Sequence, residues 1–257
     1  FVLEFVSIFK ILNLYNKLKL MKVLRIIIMT CILFPLFLNA GDIKLDNNGN
    51  RFSVSEKQEL SFSFINHLSE IKTKKIKTNA GDFTKLIIPA YGSNGDLGIP
   101  ELPVLEQLIR VPSDAVIQVN IVHKSEKLVD LSDHGIELPL FPVQPSISKG
   151  EDATKAPFYF DDSIYSQDRF LENSIVQAEV LGNMRGQQLG RLTISPVSYN
   201  PVKNQIKVIT KLEVEVLFKD VNSVKETQNR SKYYSKEFDN LYKKCINYLP
   251  TSLAKDL

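Results

Sequence analysis

The sequence predicts an all-β protein, an antiparallel β-sandwich or jelly-roll-like fold with a short C-terminal helix. Three observations carry that prediction. Apolar residues alternate at period two in short runs, turn-forming Gly, Pro and Asn separate those runs, and helical three-and-four spacing appears convincingly only near the end. A chain of 257 residues, 44% hydrophobic and 24% charged, can bury the core of one or two domains.

The amino end reads as an address, not as fold. Met21-Lys22-Val23-Leu24-Arg25, the apolar run 26–38 and then Leu38-Asn39-Ala40 have the layout of a signal peptide over 21–40, cleaved between Ala40 and Gly41. The run is too short for the roughly 20 residues that span a bilayer. Residues 1–20 precede the methionine and read as translated upstream sequence. Removing 1–40 takes away five basic residues and one acidic one, so a formal charge of +3 becomes about −1. No basic surplus remains to displace counterions, which excludes a general nucleic-acid binder. It also leaves Cys245 as the sole cysteine of an exported chain, so no internal disulfide can form. The expected locale is secreted, periplasmic or cell-surface, with membrane contact only through the transient signal peptide.

The remainder, 41–220, is expected to form the sandwich. Leu60, Phe62 and Phe64 share one strand face, Lys72 to Lys77 reads as a solvated charged turn, and Phe83 to Ile88 is a strand ended by Pro89. Turn chemistry fills 92–96, and the prolines of Gly98-Ile99-Pro100-Glu101-Leu102-Pro103-Val104 forbid helix. Ala115, Ile117, Val119 and Ile121 mark a half-buried strand that next reaches His123. Residues 131–160, with Pro139, Pro142, Pro145 and Pro157, read as a long exposed connection. Strands follow at 175–181 and 189–197, and Tyr199 to Asn204 supplies a turn. In the clearest strand, Ile206, Val208, Leu212, Val214, Val216 and Phe218 fall on one face with Thr210 in phase. Residues 222–232 read as a polar linker, and Phe238, Leu241, Tyr242, Cys245, Ile246 and Leu249 as one helical stripe capped by Ser235.

None of these residues assembles a recognisable catalyst. Cysteine peptidase chemistry needs a thiolate beside an imidazole, and the chain has Cys245, placed on an apolar stripe, with His67, His123 and His134 scattered along it. The histidines lack metal-ligand spacing. Asp161, Asp162 and Asp168 lack the glycine and terminal glutamate of a calcium loop and read as surface acids. No metal, no cofactor and no catalytic residue is expected.

Several irregular pieces nevertheless stand in one order. They are the 98–104 segment, Val111-Pro112, Ser148-Lys149-Gly150-Glu151-Asp152, Pro157-Phe158, Tyr165 to Phe170, Arg185-Gly186-Gln187, Pro196 to Val202, and the final Phe238, Leu241-Tyr242-Lys243 and Asn247-Tyr248. In this order they resemble the propeptide of the gingipain family of secreted bacterial cysteine peptidases. On its own residues Lys149 is a solvated loop lysine. The resemblance implies that Lys149, between Ser148 and Gly150, fills the specificity pocket of a cognate catalytic domain, downstream in the same precursor or in trans, with Lys155 as the alternative. It also makes 221–257 a linker and helix leading toward that domain, with Arg230 and Lys255 as candidate processing sites in exposed polar chain. The fold class alone would equally allow a secreted sandwich that binds or adheres.

Overall fold

The computed structural model describes residues 41–147, 150, 156–171, 173–233 and 235–250. Residues 1–40, with the expected signal peptide and Ala40, lie outside them. The described chain forms strands β1 (Ile43–Lys44), β2 (Arg51–Lys57), β3 (Ser61–His67), β4 (Glu70–Thr78), β5 (Gly81–Ile87), β6 (Gly92–Asn94), β7 (Leu102–Val111), β8 (Val116–Asp130), β9 (Val176–Met184), β10 (Gln187–Ile194), β11 (Val197–Asn200) and β12 (Gln205–Lys219). Helices are few: a single 3-10 turn at Ser132–His134, then α1 (Asp162–Tyr165), α2 (Ser223–Tyr233) and α3 (Lys236–Tyr242). The fold is thus antiparallel β with short helices toward the C-terminus, as the alternation predicts. Among the described residues no helix is long and apolar enough to cross a membrane.

Strand pairing makes three antiparallel sheets, ordered β1-β4-β5, β6-β7-β10-β9 and, around β12, β2-β3-β12 with β11 and β8 also on β12. One edge of β12 takes β8 over most of its length. Its other edge takes β11 against 205–208 and then β3 against 211–217. Two apolar clusters result. Ile43, Ile71, Leu86 and Ile88 of the first sheet and its flank pack with Val129, Tyr199, Ile206 and Val208. Phe62, Phe64, Leu212, Val214 and Val216 pack with Leu105, Ile109, Val111, Leu192 and Ile194 of the β7 sheet.

This corrects the single apolar face expected for 206–218. Val208 and Ile209 are neighbours in the strand and both are buried, so they point to opposite faces. A bulge between Ile209 and Lys211 in the β12–β8 pairing lets Leu212, two places beyond the in-phase Thr210, rejoin Ile209 in the second cluster. Alternation in sequence cannot reveal a bulge that shifts phase by one residue.

Three further expectations change. Lys72 to Lys77 is not a turn but most of β4. Its β-branched Ile71, Thr73 and Ile76 suit a strand, and its lysines line a stretch paired only with β5, where exposed charge discourages edge-to-edge association. The polar stretch 222–232 is helical, forming nearly all of α2. The stripe from Phe238 to Leu249 is not one helix: α3 stops at Tyr242, Leu241 is exposed, and Cys245 lies in the turns beyond it. Ser235 does occupy the N-cap with extended backbone, but its hydroxyl donates to Glu237 Oε2 at 2.6 Å instead of capping the helix N–H groups.

Leu212 is fully buried, whereas Leu128 is 57% exposed. Urea unfolding of Leu212→Ala should therefore show a loss of about 2–5 kcal/mol, and Leu128→Ala a change within about 0.5 kcal/mol.

Candidate functional site

The loop that carries Lys149 springs from a frame built by β5, the 98–101 segment and the chain just beyond each leg. On the incoming leg, Thr84 N–H donates to Pro139 O (2.9 Å) and Phe141 N–H donates to Thr84 O (2.7 Å). On its far side Glu101 N–H donates to Phe141 O (2.8 Å) and Val143 N–H to Ile99 O (2.8 Å). Pro100 and Pro142 face each other across this bridge, at the one pair of positions where neither N–H is required.

Gly98 then holds both legs at once. Its N–H donates to Val143 O (2.9 Å) and its carbonyl accepts from Asp161 N–H (3.1 Å). Its φ of +85°, and a Cβ that would stand 3.2 Å from Asp161 N, are the reasons this position takes glycine. A second rung lies further along the loop. The Gln144 side chain donates to Tyr159 O (2.7 Å) and accepts from Tyr159 N–H (3.0 Å), closing the loop with two hydrogen bonds from one amide. Phe83 packs against Phe141, Phe158 and Phe160, with ring centroids 5.4–6.0 Å apart. Phe160 stacks on Tyr165 at 4.2 Å, and the Tyr165 hydroxyl donates to Leu140 O at 2.6 Å. A cleft of about 360 Å³, lined in part by Phe141, Pro145, Ile147 and Phe158, opens beside this base.

The loop is therefore anchored at a base that is ordered by backbone hydrogen bonds and aromatic packing. Ser148, Lys149 and Lys155 themselves lie outside the described residues, while Gly150 is exposed with φ +99°. The connection 131–160 is also less exposed than expected, since Ile136 and Leu140 are core residues.

A second constellation gathers around β7. Arg185 and Gly186 form a two-residue hairpin loop between β9 and β10, both with positive φ, as a type I′ turn demands. The turn meets the C-terminal helices: a Cβ on Gly186 would lie 2.6 Å from Tyr233, the Arg185 guanidinium lies 4.6 Å from the Phe238 ring centroid, and the Tyr242 hydroxyl donates to Met184 O at 2.7 Å. Gln187 accepts from Arg110 Nε (2.8 Å) and donates to Val111 O (3.1 Å). The Arg-Gly-Gln motif is thus the dock for the C-terminal segment. Arg230 falls within α2, its side chain outside the described residues, and Lys255 lies beyond them. Gly41 N–H donates to His134 O at 3.3 Å.

The residues weighed for catalysis have other occupations. Cys245 is buried, and burial pushes its thiol up to about 11, away from the thiolate that a nucleophile requires. His67 lies 2.8 Å from Asp46, His123 sits 3.1 Å from the Ser125 hydroxyl, and His134 belongs to the 3-10 turn. Asp161 caps α1, accepting from Ser163 and Ile164 N–H, and Asp168 accepts from Asn200 Nδ2 at 2.9 Å. Among the described residues no group of three or more His, Cys, Asp or Glu could hold a metal ion.

The Propeptide_C25 family model matches residues 45–244. The chain belongs to the Propeptide_C25 family. It is similar to Lys-gingipain of Porphyromonas gingivalis, 32% identical over 226 residues that are 88% of this chain and 13% of the relative. It is also similar to gingipain R1 of the same organism, 25% identical over 183 residues, 69% of this chain and 17% of the relative. The chain therefore spans only a small part of these relatives. A solved structure that addresses the zymogenic latency of gingipain K from P. gingivalis superposes with a TM-score of 0.65 at 35% identity, covering 69% of this chain and 97% of that one. The complex of P. gingivalis RgpB pro- and mature domains superposes at 0.56 and 17% identity, covering 68% and 86%, and shows the shared fold alone. Membership places this chain among propeptides.

Sequence reading picked out Gly98, Arg185-Gly186-Gln187 and Asn247 as motif pieces without a structural role, and it passed over Gln144 and Arg110; Gln144 carried a usable signal, a lone amide in a proline-rich leg. Iodoacetamide at pH 8 should leave Cys245 unmodified in the folded chain and alkylate it in urea, read by mass spectrometry. Rapid labelling without denaturant would contradict the buried, protonated thiol.

Proposed function

We propose that this chain is the N-terminal propeptide of a secreted gingipain-like cysteine endopeptidase, and that it keeps the enzyme latent by placing Lys149 in the catalytic domain's specificity pocket while assisting its folding. The observation that carries the reading is membership of the propeptide family together with a loop whose two legs are pinned by Gly98 and by the Gln144–Tyr159 pair. A peptidase that cleaves after basic residues needs an acidic pocket, and a lysine offered from an anchored loop fills it as a substrate side chain does. Anchoring matters because a loop ordered beforehand loses less entropy on binding. A tether to the catalytic domain adds an effective concentration in roughly the millimolar range.

The partner in this reading is the cognate catalytic domain, in the same precursor or in trans. Lys155 is the alternative pocket residue. Export follows from the signal peptide read over 21–40 with cleavage between Ala40 and Gly41. Processing falls at Arg230 or Lys255, and Arg230 would have to leave α2 to enter a protease cleft.

Residues 41–257 should inhibit a Lys-specific gingipain-type peptidase, and Lys149→Ala should raise the inhibition constant roughly 100-fold or more. Equal potency of the two proteins rejects the pocket role of Lys149, and loss only in Lys155→Ala transfers it. Gln144→Ala should weaken inhibition about tenfold with little change in melting temperature, because it frees the legs without emptying a core site. Unchanged inhibition by that variant would show that the frame contributes nothing.

A further inference from the structure

We infer that residues 245–250 are a clasp on the outer edge of β7 that keeps the C-terminal piece of the propeptide attached after the chain is cut upstream, in α2 or at the α2–α3 junction. One edge of β7 pairs with β10 over 105–111, which leaves the alternate groups of Leu108 and Arg110 facing outward. The C-terminal segment satisfies them. Ile246 N–H donates to Leu108 O (2.9 Å), Asn247 Oδ1 accepts from Arg110 N–H (2.8 Å), and Asn247 Nδ2 donates to Arg110 O (2.8 Å). A side-chain amide thus stands in for a neighbouring strand on an edge that would otherwise be open. Asn247 and Arg110 are each only 8% exposed, so these bonds are shielded from competing water.

The clasp has further holds that do not pass through α2. Arg110 Nη1 donates to Leu249 O (3.2 Å), and its guanidinium lies 5.8 Å from the centre of the Tyr248 ring. The Tyr248 hydroxyl donates to Asp239 Oδ2 (2.8 Å), tying the segment to α3, and Ile246 packs on the second core cluster. Helix α2 is fastened elsewhere: Ser113 donates to Glu226 Oε2 through both N–H and Oγ at 2.8 Å, and Asn222 N–H donates to Ser113 O at 3.0 Å. The two attachments are independent, and neither requires the peptide bonds between α2 and α3. The occupant of the β7 edge is the chain's own 235–250 piece, covalently continuous with the residues past Pro250. A cut at Arg230 is then silent, and release needs a cut beyond Pro250 or opening of the clasp. This holds whether or not Lys149 is the pocket residue.

A recognition sequence for a protease of unrelated specificity is inserted between Tyr234 and Ser235 of the full chain, and the cut protein is followed by size-exclusion chromatography and native mass spectrometry. At micromolar concentration the 235–257 piece should co-migrate with the remainder. Asn247→Ala should raise the dissociation constant of the pieces roughly 10- to 100-fold, and Asn247→Asp, which keeps the acceptor for Arg110 N–H and loses the donor, should fall between. Lys149→Ala should leave retention unchanged, which separates this test from that of inhibition. In uncut protein, amide exchange at Ile246, whose N–H donates to Leu108 O, should quicken in Asn247→Asp, where the donor to Arg110 O is lost and a carboxylate faces that carbonyl, a reading that stands even if Asn247→Ala does not fold. Complete separation of the wild-type pieces without denaturant, or retention and exchange indifferent to Asn247, overturns the clasp.

Discussion

Everything in this fold hangs on β12 serving two cores from opposite faces. Val208 belongs to one apolar cluster and Ile209 to the other, and the bulge before Lys211 restores alternation so that Leu212 to Phe218 continue in the second. Without that shift a strand of this length would bury one face and leave the other to water. With it, the β1-β4-β5 sheet and the β7 sheet are both fastened to the same element. The loop base grows from the β5 side, and the C-terminal dock from the β7 side. Tyr91 joins the two clusters. It packs against both, and its buried hydroxyl donates to Asn66 Oδ1 at 2.8 Å, with burial pushing the phenol up to about 12.

The two regions solve one physical problem in the same way. A chain segment must leave the folded body at a defined point, yet its backbone polar groups must stay satisfied up to that point. At the loop, Gly98 supplies a donor and an acceptor to the two legs. At the C-terminus, Asn247 supplies both to Arg110. Gln144 does for Tyr159 what Asn247 does for Arg110: a side-chain amide, which carries the same groups as a peptide, completes a ladder that no further strand continues.

Legibility in the sequence depends on the range of the interactions. Alternation exposed β3, β8 and β12 because burial acts residue by residue along a strand. The Gly98 and Arg185-Gly186-Gln187 motifs stood out through the ordered resemblance, and positive φ at Gly98 and Gly186 accounts for their glycines. The features that stayed hidden depend on distant partners. Lys72 to Lys77 is strand because β5 pairs with it, and α2 is helix where its polar sequence promised a linker because Ser113, over a hundred positions away, meets Glu226. Asn247 pairs with Arg110 across a comparable separation. The Lys149 assignment came from ordered motifs, and the fold brings those motifs together in pairs: 98–104 with 157–165 frames one loop, and 185–187 with 238–248 docks one tail.

That division bears on how latency could be both firm and reversible. A loop base held by many backbone hydrogen bonds changes little when the chain is cut elsewhere, so under the proposed pocket role its intrinsic affinity would survive processing. The contribution of the tether does not survive, since it depends on covalent continuity and falls away once the ends can diffuse apart. A clasp on the β7 edge introduces an intermediate stage between these two. On that proposal the ends would remain neighbours after an upstream cut, the effective concentration would persist, and the propeptide would act as though joined. Activation by scission would then be graded by where the cut falls relative to Asn247, a distinction set by one side-chain amide and the strand edge it covers.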